Sequence, residues 1–188
     1  MMLLEDAEFP LCSYDSNDCK HFSMLRTVYR SLVQEENVDF DWEKIGFQSN
    51  SPGTDLRGVG MLGILQMLYL CLNCSVLMEF LYVTSIDKYN TFPFAAVGLN
   101  MTRITLSVLR YEKLNKEINK NGVFEAANKF YASIFYAFGK LWVSKKKTIS
   151  DVGAMFQDIE KISARRSNRR KMARELKVFL REKCFRDK

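Results

Sequence analysis

A nearly unbroken apolar run over residues 59–83, VGMLGILQMLYLCLNCSVLMEFLYV, constrains the fold of this chain more than any other feature. The run is long enough to cross a bilayer as a helix. However, it contains Gln66, Asn73, Ser75 and Glu79, and it lacks the basic flanks that orient a membrane span. We therefore expect buried core helices, either one or two, because Asn73 and Ser75 mark a candidate break.

The rest of the sequence also favours helices. The 188 residues include only three prolines and nine glycines, and no alternation of strands with helices is visible. Apolar residues recur at helical spacing in five segments, which cover residues 21–33, 58–82, 93–110, 123–143 and, after a cap at Ser150 or Asp151, residues up to about 181. The sequence therefore predicts a single, compact, all-α domain of several helices.

The charge of the chain is unevenly distributed. The net charge is +6, yet residues 161–188 carry 12 Lys and Arg against 3 Asp and Glu, whereas residues 1–160 carry 16 and 19. A basic tail on a slightly acidic domain argues against a nucleic-acid partner. We expect a loose acidic arm over residues 1–21, a folded domain over residues 22–163 and a basic helix or tail over residues 164–188. This tail is a candidate contact for an anionic membrane surface.

The cysteines predict neither a disulfide framework nor a metal site. Their number is odd and their spacing irregular, which is typical of reduced, cytoplasmic thiols. Cys71 and Cys74 form a single C-x-x-C pair, and the sole histidine, His21, is far away in the sequence. One such pair cannot supply the four ligands of a structural zinc site. We expect no metal site and no cofactor.

Gly58, Gly60 and Gly63 spell G-x-G-x-x-G, the dinucleotide-binding fingerprint. That fingerprint requires a buried strand before it, but the preceding residues 48–56, QSNSPGTDL, are polar and broken by Pro52. We therefore interpret the glycines as small residues at a helix start, where they let another backbone approach closely.

Arg57 lies just before the apolar run, and the residues alone leave its role open. Thr54 or Asp55 is predicted as the N-cap of the following helix, which would place Arg57 in the first turn, where a cation is unfavourable. A structural role would pair it with Asp55, Glu43 or Glu79. A functional role is the other interpretation, because a residue that breaks a local rule can mark a site.

Several spaced motifs surround and follow Arg57. WEKIGFQ at residues 42–48 and PGTDLRGVGMLG at residues 52–63 are followed by FPFAAVGLNMT at residues 92–102 and FYAFGKLW at residues 135–142. Together these blocks resemble the ELMO domain family, whose pattern contains W-x-x-I-G-F-Q and T-D-x-R-G-x-G-x-L. The resemblance extends over about residues 22–163. One departure is Ser51, where the family usually has an acidic residue.

The resemblance implies a function. In the ELMO-domain-containing branch, members are GTPase-activating proteins for Arf and Arf-like small GTPases, and the arginine of T-D-x-R-G is the proposed catalytic residue. In the engulfment-and-motility branch, larger scaffolds assist exchange factors for Rac and lack that arginine. This short chain retains Arg57, so the resemblance implies the first branch. It also implies an activator of another enzyme, without a substrate pocket of its own. Such a protein is expected in the cytoplasm, and peripherally on internal membranes if the basic tail binds them.

On this interpretation, Arg57 is an arginine finger that reaches a GTP-bound Arf-family partner, and that partner carries the Mg²⁺ ion. Trp42 and Phe47 are expected to be core anchors. The alternative is a non-catalytic helical adaptor that binds a small GTPase or an exchange factor, with Arg57 in a structural role.

The neighbours of the arginine are expected to orient the loop or contact the partner. Asp55 is expected to fix the loop and to aim Arg57. Gln48 is expected to hydrogen-bond the turn or to help order the partner's water, and Thr54 to orient the loop or bind the partner. Gly58 and Gly60 are expected to leave room for a switch loop of the partner.

Overall fold

The computed structural model describes residues 12–33 and 39–184. These residues form α-helices and two short 3-10 helices, with no strand among them, which confirms the predicted all-α fold. Residues 1–11 of the predicted acidic arm and residues 185–188 of the predicted tail lie outside the described residues. The α-helices are α1 Cys19–Val33, α2 Pro52–Leu56, α3 Met61–Asn73, α4 Ser75–Ser85, α5 Phe94–Arg110, α6 Asn115–Asn121, α7 Val123–Ser144, α8 Val152–Ala164 and α9 Arg166–Cys184. The 3-10 helices are Trp42–Ile45 and Ile149–Asp151.

The aromatic helix α7 lies at the centre of the domain. It packs against α3, α4, α5, α6, α8 and α9. Its aromatic side chains beyond Phe124 are buried, and the ring centroids of Phe135 and of Phe94 in α5 lie 5.5 Å apart. Trp142 is fully buried, and its indole N–H donates to the carbonyl of Asn90 in the loop before α5. This buried aromatic side of α7 explains why the other helices surround it.

The apolar run forms two helices, α3 and α4, which meet at Cys74 with a bend of 114°. The break falls between Asn73 and Ser75. This agrees with the expectation of two helices and not with that of one. Met61, Ile64 and Leu70 of α3 are fully buried in the domain core, so this run contributes core helices. In the described part of the chain, no single helix meets the length and hydropathy of a membrane span, although α3 and α4 do as a bent pair.

The predicted N-cap of the apolar helix is wrong. Thr54 and Asp55 lie inside α2, which starts at Pro52, a residue whose fixed φ suits a first turn. The cap position of α3 is Gly60, at a φ of 59°. Arg57 therefore follows the last residue of α2 and does not lie in the first turn of α3. A cation is favourable at a helix C-terminus, because the carbonyl groups there carry partial negative charge.

The prediction of one continuous last helix is also wrong, because this part of the chain forms two helices, α8 and α9. The chain leaves helical geometry at Arg165, with φ −91° and ψ 130°. Arg169 stabilises the break, because one of its nitrogens donates to the carbonyls of Ser163 and Ala164 at 2.8 and 2.9 Å. Its other terminal nitrogen donates to the carbonyl of Lys113 at 2.9 Å, which ties the break to the segment after α5.

Candidate functional site

The turn over residues 46–48 is anchored in the core on both sides of Gly46. Trp42 and Phe47 are 6% and 4% exposed, which confirms that they are core anchors. Gly46 has a φ of 88°, and a Cβ there would collide with the backbone of Pro93 and Phe94. The carbonyl of Gly46 also accepts the N–H of Ala96 at 3.1 Å. The turn is therefore fixed against the start of α5.

Asp55 joins this turn to α2. Its Oδ2 accepts the backbone N–H of Gln48 at 2.8 Å. Asp55 is half-buried, whereas Gln48 and Thr54 are exposed. A carboxylate that accepts a backbone N–H makes a charge-assisted hydrogen bond, which is stronger than a neutral one. The α2 segment and the Gln48 turn are therefore held as one unit.

Arg57 is exposed at the end of α2. The pairs with Asp55, Glu43 or Glu79 that a structural role would require do not form, and the guanidinium makes no hydrogen bond or ion pair with any described residue. Leu56 and Val59, on either side of Arg57 and Gly58, are 1% and 7% exposed. The turn is thus anchored by two buried side chains while the arginine faces outward.

The three glycines of the G-x-G-x-x-G pattern have different environments, and no strand precedes them among the described residues. Gly60 adopts a positive φ, which glycine tolerates best. Gly63 packs closely on α5, since a Cβ there would lie 2.6 Å from Leu99 Cδ2. Gly58 is exposed, and among the described residues a Cβ there would meet only the Arg103 guanidinium, at 3.9 Å.

A polar cleft of about 250 Å³ lies beside this turn. Four of the residues singled out in the sequence line it together, namely Gln48, Thr54, Asp55 and Gly58. Arg57 and Gly60 do not line the cleft, although they adjoin Gly58 in the chain. Asn100 and Arg103 of α5 add polar side chains to the lining, for which the sequence alone predicts no role. The remaining lining residues are apolar, namely Val59, Ala96 and Leu99.

Asn100 and Arg103 reach the cleft because α2 packs against α5. Asn100 lies within the FPFAAVGLNMT motif, which could have pointed to it. Arg103 follows that motif directly, but no local pattern indicates that it lies beside Gly58.

The C-x-x-C pair does not line this cleft. Burial raises the pKa of the Cys71 and Cys74 thiols, which keeps both in the protonated, less nucleophilic form at neutral pH. Cys19, Cys71 and Cys74 form no disulfide with one another and are free thiols.

The motifs that build the turn and the cleft match known proteins. A sequence model of the ELMO/CED-12 family matches residues 8–156, which include the turn, α2, α5, the whole of α7 and the first turn of α8. The chain belongs to the ELMO/CED-12 family. No solved structure gives a significant match to this family member.

Several relatives of this ELMO domain are curated proteins. It is 36% identical to ELMO domain-containing protein 3 of Bos taurus, over 90% of this chain and 46% of the relative. It is 28% identical to ELMO domain-containing protein B of Dictyostelium discoideum, over 78% of this chain and 54% of the relative. ELMO domain-containing protein 2 of Mus musculus is 29% identical, over 71% of this chain and 48% of the relative. The chain therefore spans about half the length of the curated relatives it matches.

Proposed function

We propose that this chain is a GTPase-activating protein for Arf or Arf-like small GTPases, and that Arg57 is the arginine finger it supplies in trans. One observation carries the proposal: Arg57 is exposed and makes no hydrogen bond or ion pair with any described residue. It also stands in the T-D-x-R-G motif through which the chain resembles the GTPase-activating branch.

The chemistry of GTP hydrolysis suits such an arginine. Charge spreads over the γ-phosphate oxygens in the transition state, and a guanidinium placed against them stabilises that charge. Arginine remains charged and offers a planar fork of donors that matches phosphate oxygens. An arginine finger accelerates GTP hydrolysis about 10³–10⁵-fold, which corresponds to lowering the activation free energy by roughly 4–7 kcal/mol.

The local structure supports this role through rigidity. Leu56 and Val59 are buried on either side of the turn, and the Leu56 carbonyl accepts the N–H groups of Val59 and Gly60 at 3.1 and 2.7 Å. A catalytic group is more effective when its backbone is fixed before the partner arrives. Asp55 adds to this by holding the Gln48 turn against α2.

The adaptor alternative requires a structural Arg57, and the contrast with Arg169 disfavours it. Arg169 is half-buried and donates to three carbonyls, as expected of a structural arginine. Arg57 has none of these contacts among the described residues. A side chain without contacts contributes little to stability, so removal of Arg57 tests a partner role without disturbing the fold.

The test is single-turnover GTP hydrolysis by purified Arf and Arf-like proteins, in the presence of Mg²⁺. We expect the wild-type chain to accelerate hydrolysis and Arg57→Ala to lose at least about 99% of the acceleration, given the magnitude of an arginine finger. Arg57→Lys retains the charge but loses the fork, so we expect it to recover little. Arg174→Ala is the matched control, because Arg174 is an exposed arginine of α9 that does not line the cleft and does not belong to the turn.

Because Arg57 is exposed, its removal is expected to leave the melting temperature of the domain within about 2 °C of the wild type. Equal acceleration by wild type, Arg57→Ala and Arg57→Lys would contradict the finger role. Binding of the GTPase without any acceleration would instead favour the adaptor.

A further inference from the structure

A second arginine, Arg103, lies next to the turn that holds Arg57. Its Nη2 is 3.9 Å from the position of a Cβ on Gly58, the residue that follows Arg57. Arg103 is exposed, and its side chain makes no hydrogen bond or ion pair with any described residue. Two unneutralised cations therefore border the same exposed glycine.

Arg103 also begins a strip of polar residues along α5. Ser107 and Arg110 follow it at helical positions i+4 and i+7, which lie on one face. Together with Gly58, these residues line a second cleft of about 510 Å³, so Arg103 and Gly58 line both clefts. Arg110 is exposed and, like Arg103, has no ion-pair partner in the described part of the chain.

An exposed aromatic side chain completes the second cleft. Tyr111, directly after α5, is 71% exposed and lines the cleft beside Arg110. Arginine and tyrosine are among the residues that most often dominate the binding energy of protein interfaces. Glu160 of α8 is the acidic residue in the cleft lining, and it forms no ion pair with either arginine.

We propose that Arg103, Ser107, Arg110 and Tyr111, the α5 surface, dock an acidic surface of the GTPase whose nucleotide Arg57 reaches. This inference rests on the proposed function for the identity of the partner. The occupant is a protein surface with exposed Asp and Glu side chains, because neither arginine at the cleft has an ion-pair partner among the described residues. Docking here places Gly58 and Arg57 directly at the edge of the contact.

The α5 surface acts on binding and Arg57 acts on turnover, and kinetics separates these two roles. A contact made equally in the ground state and the transition state changes the half-saturating concentration and leaves the saturating rate unchanged. Charges at the edge of an interface also steer association, and salt weakens this effect.

The experiment measures GTP hydrolysis over a range of chain concentrations, alongside direct binding to the same Arf-family protein loaded with a non-hydrolysable GTP analogue. We expect Arg103→Ala to raise the half-saturating concentration and the dissociation constant about tenfold, with the saturating rate changed less than about twofold. Arg103→Glu is expected to have a larger effect, and Arg103→Lys a smaller one. Arg174→Ala, which removes the same charge from α9, is expected to match the wild type.

Salt dependence gives a second readout. Raising the salt from about 50 to 200 mM is expected to weaken wild-type binding more than binding by Arg103→Glu, because the variant lacks the attractive charge. If Arg103 had only a structural role, its substitution would change the melting temperature, and wild type and Arg103→Glu would show the same salt dependence of binding.

The failure of this inference and the failure of the proposed function give different results. If hydrolysis is accelerated and depends on Arg57, but Arg103→Glu and Arg110→Glu bind as the wild type does, the α5 surface is not the docking surface. If binding depends on Arg103 but hydrolysis is not accelerated, the docking surface stands and the activating function fails. If no Arf-family protein binds the chain, both are overturned.

Discussion

Gly46 is the residue that most tightly couples the family motif to the fold. Its φ of 88° is in the left-handed region, and a Cβ there would lie 2.6 Å from the carbonyl carbon of Pro93. Backbone atoms cannot move aside as the end of a flexible side chain can. The glycine of W-x-x-I-G-F-Q is therefore required by its conformation and by the close approach of α5.

We predict that Gly46→Ala destabilises the domain by about 3 kcal/mol or more, which combines left-handed strain with the backbone collision. Urea unfolding measures this change. Gly58→Ala is the matched control, since Gly58 is exposed and a Cβ there would lie at ordinary contact distance, 3.9 Å, from the flexible end of Arg103. We expect it to remain within about 0.5 kcal/mol of the wild type. If Gly46→Ala and Gly58→Ala have the same free energy of unfolding, the close approach of α5 does not require glycine at position 46.

Residue-level prediction from the sequence succeeds where a local pattern determines the environment. Trp42 and Phe47 are apolar residues in a polar segment, so their burial could be inferred, and the hydrogen bond of Asp55 fits its expected loop contact. Arg103 could not be found in this way. Its position beside Gly58 depends on how α2 packs against α5, and nothing near either residue encodes that packing.

At the level of elements, the long amphipathic helices were predictable and the short connections were not. The segments predicted over residues 93–110 and 123–143 are α5 and α7 to within one or two residues. Helix α6, NKEINKN, was missed because its polar, asparagine-rich sequence has weak helix propensity. Its packing against α7 compensates for that weakness.

The break between α8 and α9 was missed because basic residues favour helices and give no stop signal. Arg169 holds this break through the carbonyls of Ser163, Ala164 and Lys113. Beyond the break, Met172 and Leu176 of α9 are buried, and Lys140 of α7 pairs with Glu175 at 2.9 Å. Part of the predicted basic tail is therefore packed on the domain, and membrane contact by its exposed basic residues stays a prediction.

We predict that Arg169→Ala lowers the free energy of unfolding by about 2 kcal/mol and speeds hydrogen exchange in α9, since three carbonyls lose a charged donor. Arg169→Lys is expected to recover less than half of the loss, because an ammonium group cannot reach carbonyls on two segments as a fork does.

Arg170→Ala serves as the control for this prediction, because Arg170 is exposed and its side chain makes no hydrogen bond with a described residue. If both alanine variants exchange α9 amides at the same rate, Arg169 does not hold the break.

At the level of the whole molecule, the fold brings three separate parts of the sequence to one surface. The Gln48 turn, the end of α2 and the middle of α5 meet around Gly58. Burial on the inner side of each part leaves Arg57, Arg103 and Arg110 exposed on the outer side. The two proposed roles follow from this arrangement, because α5 docks the partner and the fixed turn presents Arg57 to it.

A loss of rate alone does not separate a weak contact from a missing catalytic group. A GTPase loaded with GDP and aluminium fluoride mimics the transferring phosphoryl group, whereas a non-hydrolysable GTP analogue mimics the ground state. A group that acts in the transition state stabilises the first complex much more than the second. The difference between the two affinities therefore isolates the contribution of Arg57 from that of docking.

The most direct test of the central claim is this pair of affinities, measured for wild type and Arg57→Ala with the same Arf-family protein. We predict that Arg57→Ala weakens binding to the aluminium fluoride complex at least about a hundredfold, and changes binding to the GTP-analogue complex less than about threefold. Equal loss of affinity for both complexes, or no loss for either, would contradict the claim that Arg57 is an arginine finger.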